Sequence, residues 1–403
     1  MVVDADHILR EPFDVVVAGG GPAGSAAAYA LAGAGVKTLL VERKADVGKP
    51  VRCAEGVPRG RFESLMGGAP RPEWVSAVVN GGVGHSPSDF SVRRDFPGVG
   101  YILDREVFDR SLFERAAAAG ATPLTRTEVR WLECVNGGAL VDVAVEGGDE
   151  RTVRCRAVVG ADGVESVIGR AAGLATAVPA EDVDSCAEYI LAGVEEPYPD
   201  YIHFFLGHNY APGGYAWCFP KRNGRHSVGL GITPTMAVGK TPFDYLDAFV
   251  AARYPKAIIE EVRGGVVPVG KPLPKLVNGC VALVGDAGRQ TDPFSGEGIC
   301  QALTAGANAA RAIVRGLGDG NLPAALAAYE AAWASEYNDR YKKHYKVRRV
   351  ILAMSNREMD DTIRILRDRM DISAITGSEI FPTFLKALWK NPQLVLKLRH
   401  LLD

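Results

Sequence analysis

The chain has 403 residues, 47% of them hydrophobic, with 46 Lys and Arg against 48 Asp and Glu and a formal charge of −2. At roughly 150 residues per domain it is long enough for two or three packed units. That excludes small disulfide scaffolds and disordered tails, and the near-neutral balance leaves no chain-wide basic field to draw nucleic acid or an anionic membrane. Its 46 glycines exceed the usual ~7% and imply the tight turns and close backbone approaches that nucleotide sites use. The seven cysteines (Cys53, Cys134, Cys155, Cys186, Cys218, Cys280, Cys300) are scattered, with no CxxC pair, so no metal site is expected and the reading is a reducing cytoplasm. Residues 15–36 carry no charge, but their glycines and proline rule out a signal or membrane helix. Any membrane contact is expected to be peripheral, on the inner face of the cell membrane.

Residues 13–18 form a β-branched run, 22–34 an Ala-rich helix and 36–41 a second apolar run, the β-α-β opening of a doubly wound sheet. The rhythm resumes with a helix at 104–119 and a strand at 121–125. Short alternating strands follow at 129–134, 139–145 and 151–154, then a buried strand at 157–161. Residues 73–100 and 175–276 are different material, rich in aromatics, Gly and Pro, with strand-like runs at 184–191, 201–206, 215–219 and 226–232. They are read as an antiparallel sheet inserted into the nucleotide domain. An apolar strand at 280–284, a Gly-rich turn and a helix at 295–317 return the chain to that domain, and the pattern from 322 onward is helical. The expected fold class is α/β: a Rossmann-type domain over 1–72, 101–174 and 277–321, an interleaved antiparallel-sheet substrate domain over 73–100 and 175–276, and a C-terminal helical region over 322–403.

Gly19, Gly21 and Gly24 make GxGxxG between the first strand and helix, with Ala23 inside it, where backbone N–H groups and the helix dipole can meet a pyrophosphate. Glu42, at the end of the next strand, is placed to accept from a ribose diol. A carboxylate there repels a 2′-phosphate, which favours FAD or NAD over NADP. The run 280–299 is more specific: a strand ends in Gly285-Asp286, and Gly296-Glu297-Gly298-Ile299 opens a helix. This resembles the GD motif of the p-hydroxybenzoate hydroxylase superfamily, and Gly160-Ala161-Asp162-Gly163, followed by Arg170, resembles its DG motif. The resemblance implies a FAD cofactor, with Asp286 on the ribityl chain and the backbone of Gly298 and Ile299 at the flavin N1 and C2 carbonyl, where a helix N-terminus stabilises negative charge. It also gives Asp162 a cofactor contact, Arg105 of Leu103-Asp104-Arg105 a reach to the cofactor, and the Val129 backbone a contact to adenine.

Two further segments point to a branch of that superfamily. Pro50-Val51-Arg52-Cys53-Ala54-Glu55-Gly56 and Tyr215-Ala216-Trp217-Cys218-Phe219-Pro220 resemble the PxRCxEG and YxWxFP motifs of geranylgeranyl reductases, flavoenzymes that saturate prenyl chains of archaeal ether lipids and related isoprenoids. The resemblance runs from residue 15 to about 316. It implies that Cys53, Ala54 and Gly56 line the flavin and that Tyr215, Trp217 and Phe219 wall a tunnel for an isoprenoid tail. An isolated alkene has no carbonyl to polarise. Its reduction therefore needs a hydride aimed at one carbon and a proton source near the other, in a dry apolar slot. A thiol with a pKa of ~8.5 is protonated at neutral pH, so Cys53 is the candidate catalytic proton donor, directly or through water; the alternative is a small residue packed on the isoalloxazine.

The resemblance thus implies an FAD-dependent reductase of geranylgeranyl chains, on an archaeal-type ether glycerophospholipid or a related isoprenoid. The alternative is a flavin-dependent monooxygenase or halogenase, which shares the FAD motifs. No second GxGxxG and no cysteine cluster for iron-sulfur is present, so electrons are expected from an external donor, ferredoxin or NAD(P)H. Arg340, Lys342, Lys343, His344, Lys346, Arg348 and Arg349 fall in one expected helix, read either as a solvated face or as a head-group or membrane-surface patch. The apolar and basic residues of 381–402 are read as two amphipathic helices.

Overall fold

The computed structural model describes residues 5–368 and positions 382, 386, 388 and 390; the remainder of the expected amphipathic segment 381–402 lies outside the described residues. The chain forms two compact units, one from Met1–Val51, Arg105–Val178 and Gly270–Lys342, the other from Arg52–Asp104, Pro179–Val269 and Lys343–Asp403.

The first unit is built on a six-stranded sheet in the order Val277–Asn278, Val281–Leu283, Ala157–Gly160, Val15–Ala18, Thr38–Val41, Thr122–Leu124. All pairs are parallel except the first. Parallel strands covered on both faces read as unbroken apolar runs rather than alternating ones, and every residue of Val15–Ala18, Thr38–Val41 and Ala157–Gly160 is buried. The helices Pro22–Gly33 and Ile299–Gly318 pack together on this sheet. Their approach is close enough that a Cβ on Gly306 would fall 2.1 Å from the Ala23 carbonyl oxygen. A separate three-stranded antiparallel sheet, Thr127–Val135, Gly138–Val145 and Glu150–Cys155, completes the unit.

The second unit holds an eight-stranded sheet in the order Ile258–Pro268, Val183–Ala192, His226–Ile232, Tyr215–Pro220, Ile202–Leu206, Val75–His85, Ser91–Leu103, Gly56–Pro58. It was expected to be antiparallel, and all its pairs are except one: Ile202–Leu206 runs parallel to Val75–His85. Side-chain alternation marks a strand but carries no information on its direction. The helix Pro242–Arg253 covers one face, closed at its start by a capping box between Thr241 and Asp244.

Several boundaries differ from those expected. Residues 52–72 and 101–104 belong to the second unit, because Gly56–Pro58 pairs with Gly100, Tyr101 and Ile102. The residues after 322 do not form a region of their own. Tyr329 donates to the Leu283 carbonyl at 2.8 Å and Tyr341 to that of Gln290 at 3.3 Å, tying the stretch up to Lys342 to the first unit. From Lys343 the chain belongs to the second, and residues 175–178 and 270–276 to the first. The helix expected from 295 begins at Ile299, since the Asp292 carboxylate draws the N–H groups of Phe294 and Ser295 into a turn.

Candidate active site

In the first unit, the helix Pro22–Gly33 has Gly21 as its N-cap, no side-chain cap and no acidic residue in its first turn. Its free N–H groups and dipole make that end positive. Gly19 has φ +109°, and a Cβ there would lie 2.3 Å from the Ala161 carbonyl oxygen; at Gly24 it would lie 1.9 Å from the carbonyl oxygen of Gly19. Both positions admit only glycine. Nothing lies within 4 Å of where a Gly21 Cβ would stand, so the loop is open on that side. Gly20 N–H donates to Glu42 Oε2 at 2.8 Å and Lys44 N–H to Oε1 at 2.9 Å, which fixes the carboxylate and leaves it lone pairs for hydroxyl donors. Val129 is buried on the strand Thr127–Val135, whose Thr127 N–H donates to the Glu42 carbonyl at 3.0 Å.

The other two nucleotide motifs meet this loop. The turn Gly163–Glu165 packs on the turn Gly285–Gly288, and Ser166 Oγ donates to the Ala287 carbonyl at 3.2 Å. A Cβ on Gly285 would lie 3.1 Å from that of Ala23. Asp162 Oδ2 accepts from Ile168 N–H at 2.9 Å, while its Oδ1 is buried with no hydrogen-bond partner. Thr291 Oγ1 donates to Asp286 at 2.9 Å. Burial pushes the Asp286 carboxyl up, opposed by Thr291 and by the charge of Arg105. Arg105 is itself held by Asp109 through bonds of 2.7 and 2.8 Å. A Cβ on Gly298 would come within 3.6 Å of Asp286 Oδ1, and Ile299 opens a second helix with no side-chain cap. Uncapped helix ends beside a glycine cradle suit an anionic pyrophosphate, and the orphaned Asp162 oxygen suits a hydroxyl donor. These residues fit a bound FAD.

In the second unit, Tyr215, Trp217 and Phe219 share one face of their strand, while Ala216 and Cys218 enter the core on the other. Phe204 meets both Tyr215 and Phe219 edge-on, each at 5.4 Å between ring centroids. Ala54 packs on the same cluster, and a Cβ on Gly56 would lie 3.6 Å from the Phe219 ring. Cys53 is half-buried, and its Sγ accepts from Glu55 N–H at 3.2 Å. It lies close enough to Cys186 and Tyr215 to act on their ionisation. Burial is the main cause that pushes both of those groups up, so the Cys186 thiol and Tyr215 hydroxyl keep their protons.

Sequence reasoning missed several residues of this neighbourhood. Cys186 was treated only as one of seven scattered thiols. Arg348, read within a basic run, is instead buried, with bonds of 2.7 and 3.1 Å to Asp184 and one of 2.9 Å to Thr233. Its face was visible: Tyr341, Tyr345 and Arg348 stand at i, i+4 and i+7. Glu55, Glu188, Lys221 and Arg263 form a buried charged cluster that no local spacing announces.

Residues 14–208 match the FAD dependent oxidoreductase family, and residues 182–267 match the geranylgeranyl reductase catalytic domain. The chain is 36% identical over 395 residues to the digeranylgeranylglycerophospholipid reductase of Methanocella arvoryzae, covering 97% of this chain and 99% of that one. It is 37% identical over 407 residues to the enzyme of the same name from Methanosarcina acetivorans, with 98% and 97% covered. The fold resembles the crystal structure of a geranylgeranyl bacteriochlorophyll reductase-like protein from Thermoplasma acidophilum, with a TM-score of 0.88, 29% identity, and 97% and 99% of the chains covered. A flavin-dependent brominase shares the fold at a TM-score of 0.70 and 18% identity. The chain belongs to the geranylgeranyl reductase family of FAD-dependent oxidoreductases.

Proposed function

We propose that this protein saturates the C=C bonds of geranylgeranyl chains carried on an ether glycerophospholipid of the archaeal type. The observation that carries the reading is the aromatic face of Tyr215, Trp217 and Phe219 in one unit with the Cys53 thiol, an apolar wall with a proton source beside it. The names of the full-length relatives support the same substrate class.

Bound FAD supplies the hydride. Gly19, Gly21, Ala23 and Gly24 receive the pyrophosphate, Glu42 the ribose hydroxyls and the Val129 backbone the adenine. Asp162, Asp286 and Arg105 hold the remaining polar groups, and the N–H groups at Gly298 and Ile299 offset negative charge on the ring. Cys53, Ala54 and Gly56 keep the flavin-lining role that the family motif gives them. Tyr215, Trp217 and Phe219 exclude water and hold the isoprenoid by apolar contact, and Cys53 holds the proton for the second alkene carbon. Electrons come from a ferredoxin or NAD(P)H. No described helix is long and apolar enough to cross a membrane, and the exposed Lys343, Lys346 and Arg349 suit a peripheral contact with the inner face of the cell membrane.

The enzyme, reduced without oxygen and given a geranylgeranylated glycerophospholipid, should regain its flavin absorbance only as each saturated bond gains H2. Absorbance that stays bleached until oxygen enters, with hydroxylated or halogenated products, would move the protein to the monooxygenase or halogenase branch. Cys53→Ser should slow single-turnover reduction by about 10²-fold or more if the thiol is the general acid. An unchanged rate would leave Cys53 a packing role.

A further inference from the structure

A continuous set of buried polar groups joins the aromatic wall to the Cys53 turn. Trp217 Nε1 donates to Ser227 Oγ at 3.0 Å, and Ser227 Oγ donates to Glu188 Oε1 at 2.6 Å. Glu188 stands opposite Arg263 on the neighbouring strand, 3.9 Å from its guanidinium, which is 3.6 Å from the Glu55 carboxylate. Lys221 closes on that carboxylate from another side. Glu55 N–H then reaches Cys53 Sγ at 3.2 Å. The four charged side chains are between 1% and 7% exposed.

Two local features show what this cluster constrains. Glu55 has φ +68°, a conformation costly for a residue with a Cβ, which persists only where its surroundings over-determine it. Trp217 lies so tightly on the next strand that a Cβ on Gly229 would fall 2.3 Å from its ring. A buried ionic cluster adds little stability over apolar side chains of the same volume, and its best-attested use is to specify one arrangement.

We infer that Glu55, Lys221, Arg263, Glu188 and Ser227 are positioning residues that lock the Cys53 thiol and the Trp217 indole in one relation, so that proton source and apolar wall meet an isoprenoid as a unit. This rests on the function proposed above. Burial, followed by the charge of Glu55, pushes Glu188 up to about 8, against Ser227, Arg263 and Lys221. With a proton on Glu188, Lys221 and Arg263 balance Glu55 and the partly exposed Glu261, which lies 2.6 Å from Arg263. Above that pH a third carboxylate charge enters the cluster, two hydrogen bonds from the indole.

Two measurements test this. The first needs no substrate: tryptophan emission of the holoenzyme, taken as wild type minus Trp217→Phe, should inflect near pH 8 and lose the inflection in Glu188→Gln. The second is steady-state reduction of a geranylgeranylated glycerophospholipid. Glu55→Gln should lower kcat about 10- to 100-fold by misplacing the thiol. Ser227→Ala should raise KM about fivefold, the effect of one buried hydrogen bond. A Glu55→Gln enzyme that melts like wild type and keeps its kcat, or an inflection that survives Glu188→Gln, overturns the inference. Should Glu55→Gln fail to fold, Glu55→Asp, which keeps the charge but shortens its reach, is read in its place with the same expectation. A wild type that leaves prenyl chains untouched but shows the Glu188-dependent inflection would overturn the proposed function while upholding the coupling of Glu188 to Trp217.

Discussion

In the first unit the groups that fit FAD are largely backbone: the loop at Gly19, Gly21 and Gly24, two uncapped helix starts, and turns whose glycines leave room for close approach. In the second unit the corresponding surface is made of side chains, three aromatics on one strand with a buried set of ion pairs beneath them. The backbone site depends on excluded volume, and at Gly19 and Gly24 it tolerates no added atom. Side-chain sites depend on partners, and fail when one partner of a buried pair is removed.

The largest expected effect on cofactor binding breaks the backbone site. Gly24→Val places a branched side chain where even a Cβ would lie 1.9 Å from the Gly19 carbonyl oxygen. The loop must move, and overpacking of this kind costs about 1–3 kcal/mol, so FAD affinity should fall by about 10- to 100-fold. Flavin absorbance of the purified protein against its protein absorbance reads this directly, and a fully yellow Gly24→Val enzyme would show that the loop does not cradle the dinucleotide.

Next comes the buried pair of the second unit. Arg348→Met leaves the Asp184 carboxylate buried without its guanidinium, which should lower stability by about 3–5 kcal/mol. Lys343→Met on the same helix, at an exposed position, should change it by no more than about 0.5 kcal/mol. Denaturant unfolding of the two variants side by side distinguishes a buried strut from a solvated cation, and equal midpoints would sink the distinction.

The same contrast explains what could be read from the sequence. Gly19, Gly24, Asp162 and Asp286 announce themselves because close backbone approach requires glycine at fixed short spacing, with strand and helix periodicity on either side. Tyr215, Trp217 and Phe219 are legible as one face because a strand alternates. Glu55 stands inside a motif that was recognised, but its role depends on Lys221, 166 residues away. Glu188 and Ser227, 39 apart, meet diagonally across two strands only because those strands pair in one register. No composition or periodicity encodes such a register. Arg348 was read as part of a charged run for the same reason: its partner Asp184 lies on a strand 164 residues earlier. Domain boundaries moved where a short strand such as Gly56–Pro58 joined a sheet that only the fold defines.

A smaller effect sharpens the comparison through pH. Glu188 is raised from an ordinary 4.5 to about 8, burial being the first cause. A carboxyl raised on folding binds a proton in the native state that the unfolded chain has lost. Its contribution is full below about 4.5 and is lost as pH rises through about 8. Melting temperature should therefore decline across that window, and Glu188→Gln, which cannot ionise, should flatten the decline. Parallel slopes for the two proteins would remove Glu188 from the balance.

The smallest expected effect comes from Trp217→Phe, which keeps an aromatic ring in the wall but removes the N–H that donates to Ser227. One buried hydrogen bond is worth about 1 kcal/mol, and stability should fall by that much. Ser227→Ala removes the same bond from its other end and also takes a donor from Glu188. The two changes share one interaction, so the double variant should be less destabilised than the sum of the single ones, with a coupling of about 0.5–1 kcal/mol. Strict additivity would mean that the indole and the serine act independently, and that the aromatic wall is held by packing alone, as the backbone site of the first unit is.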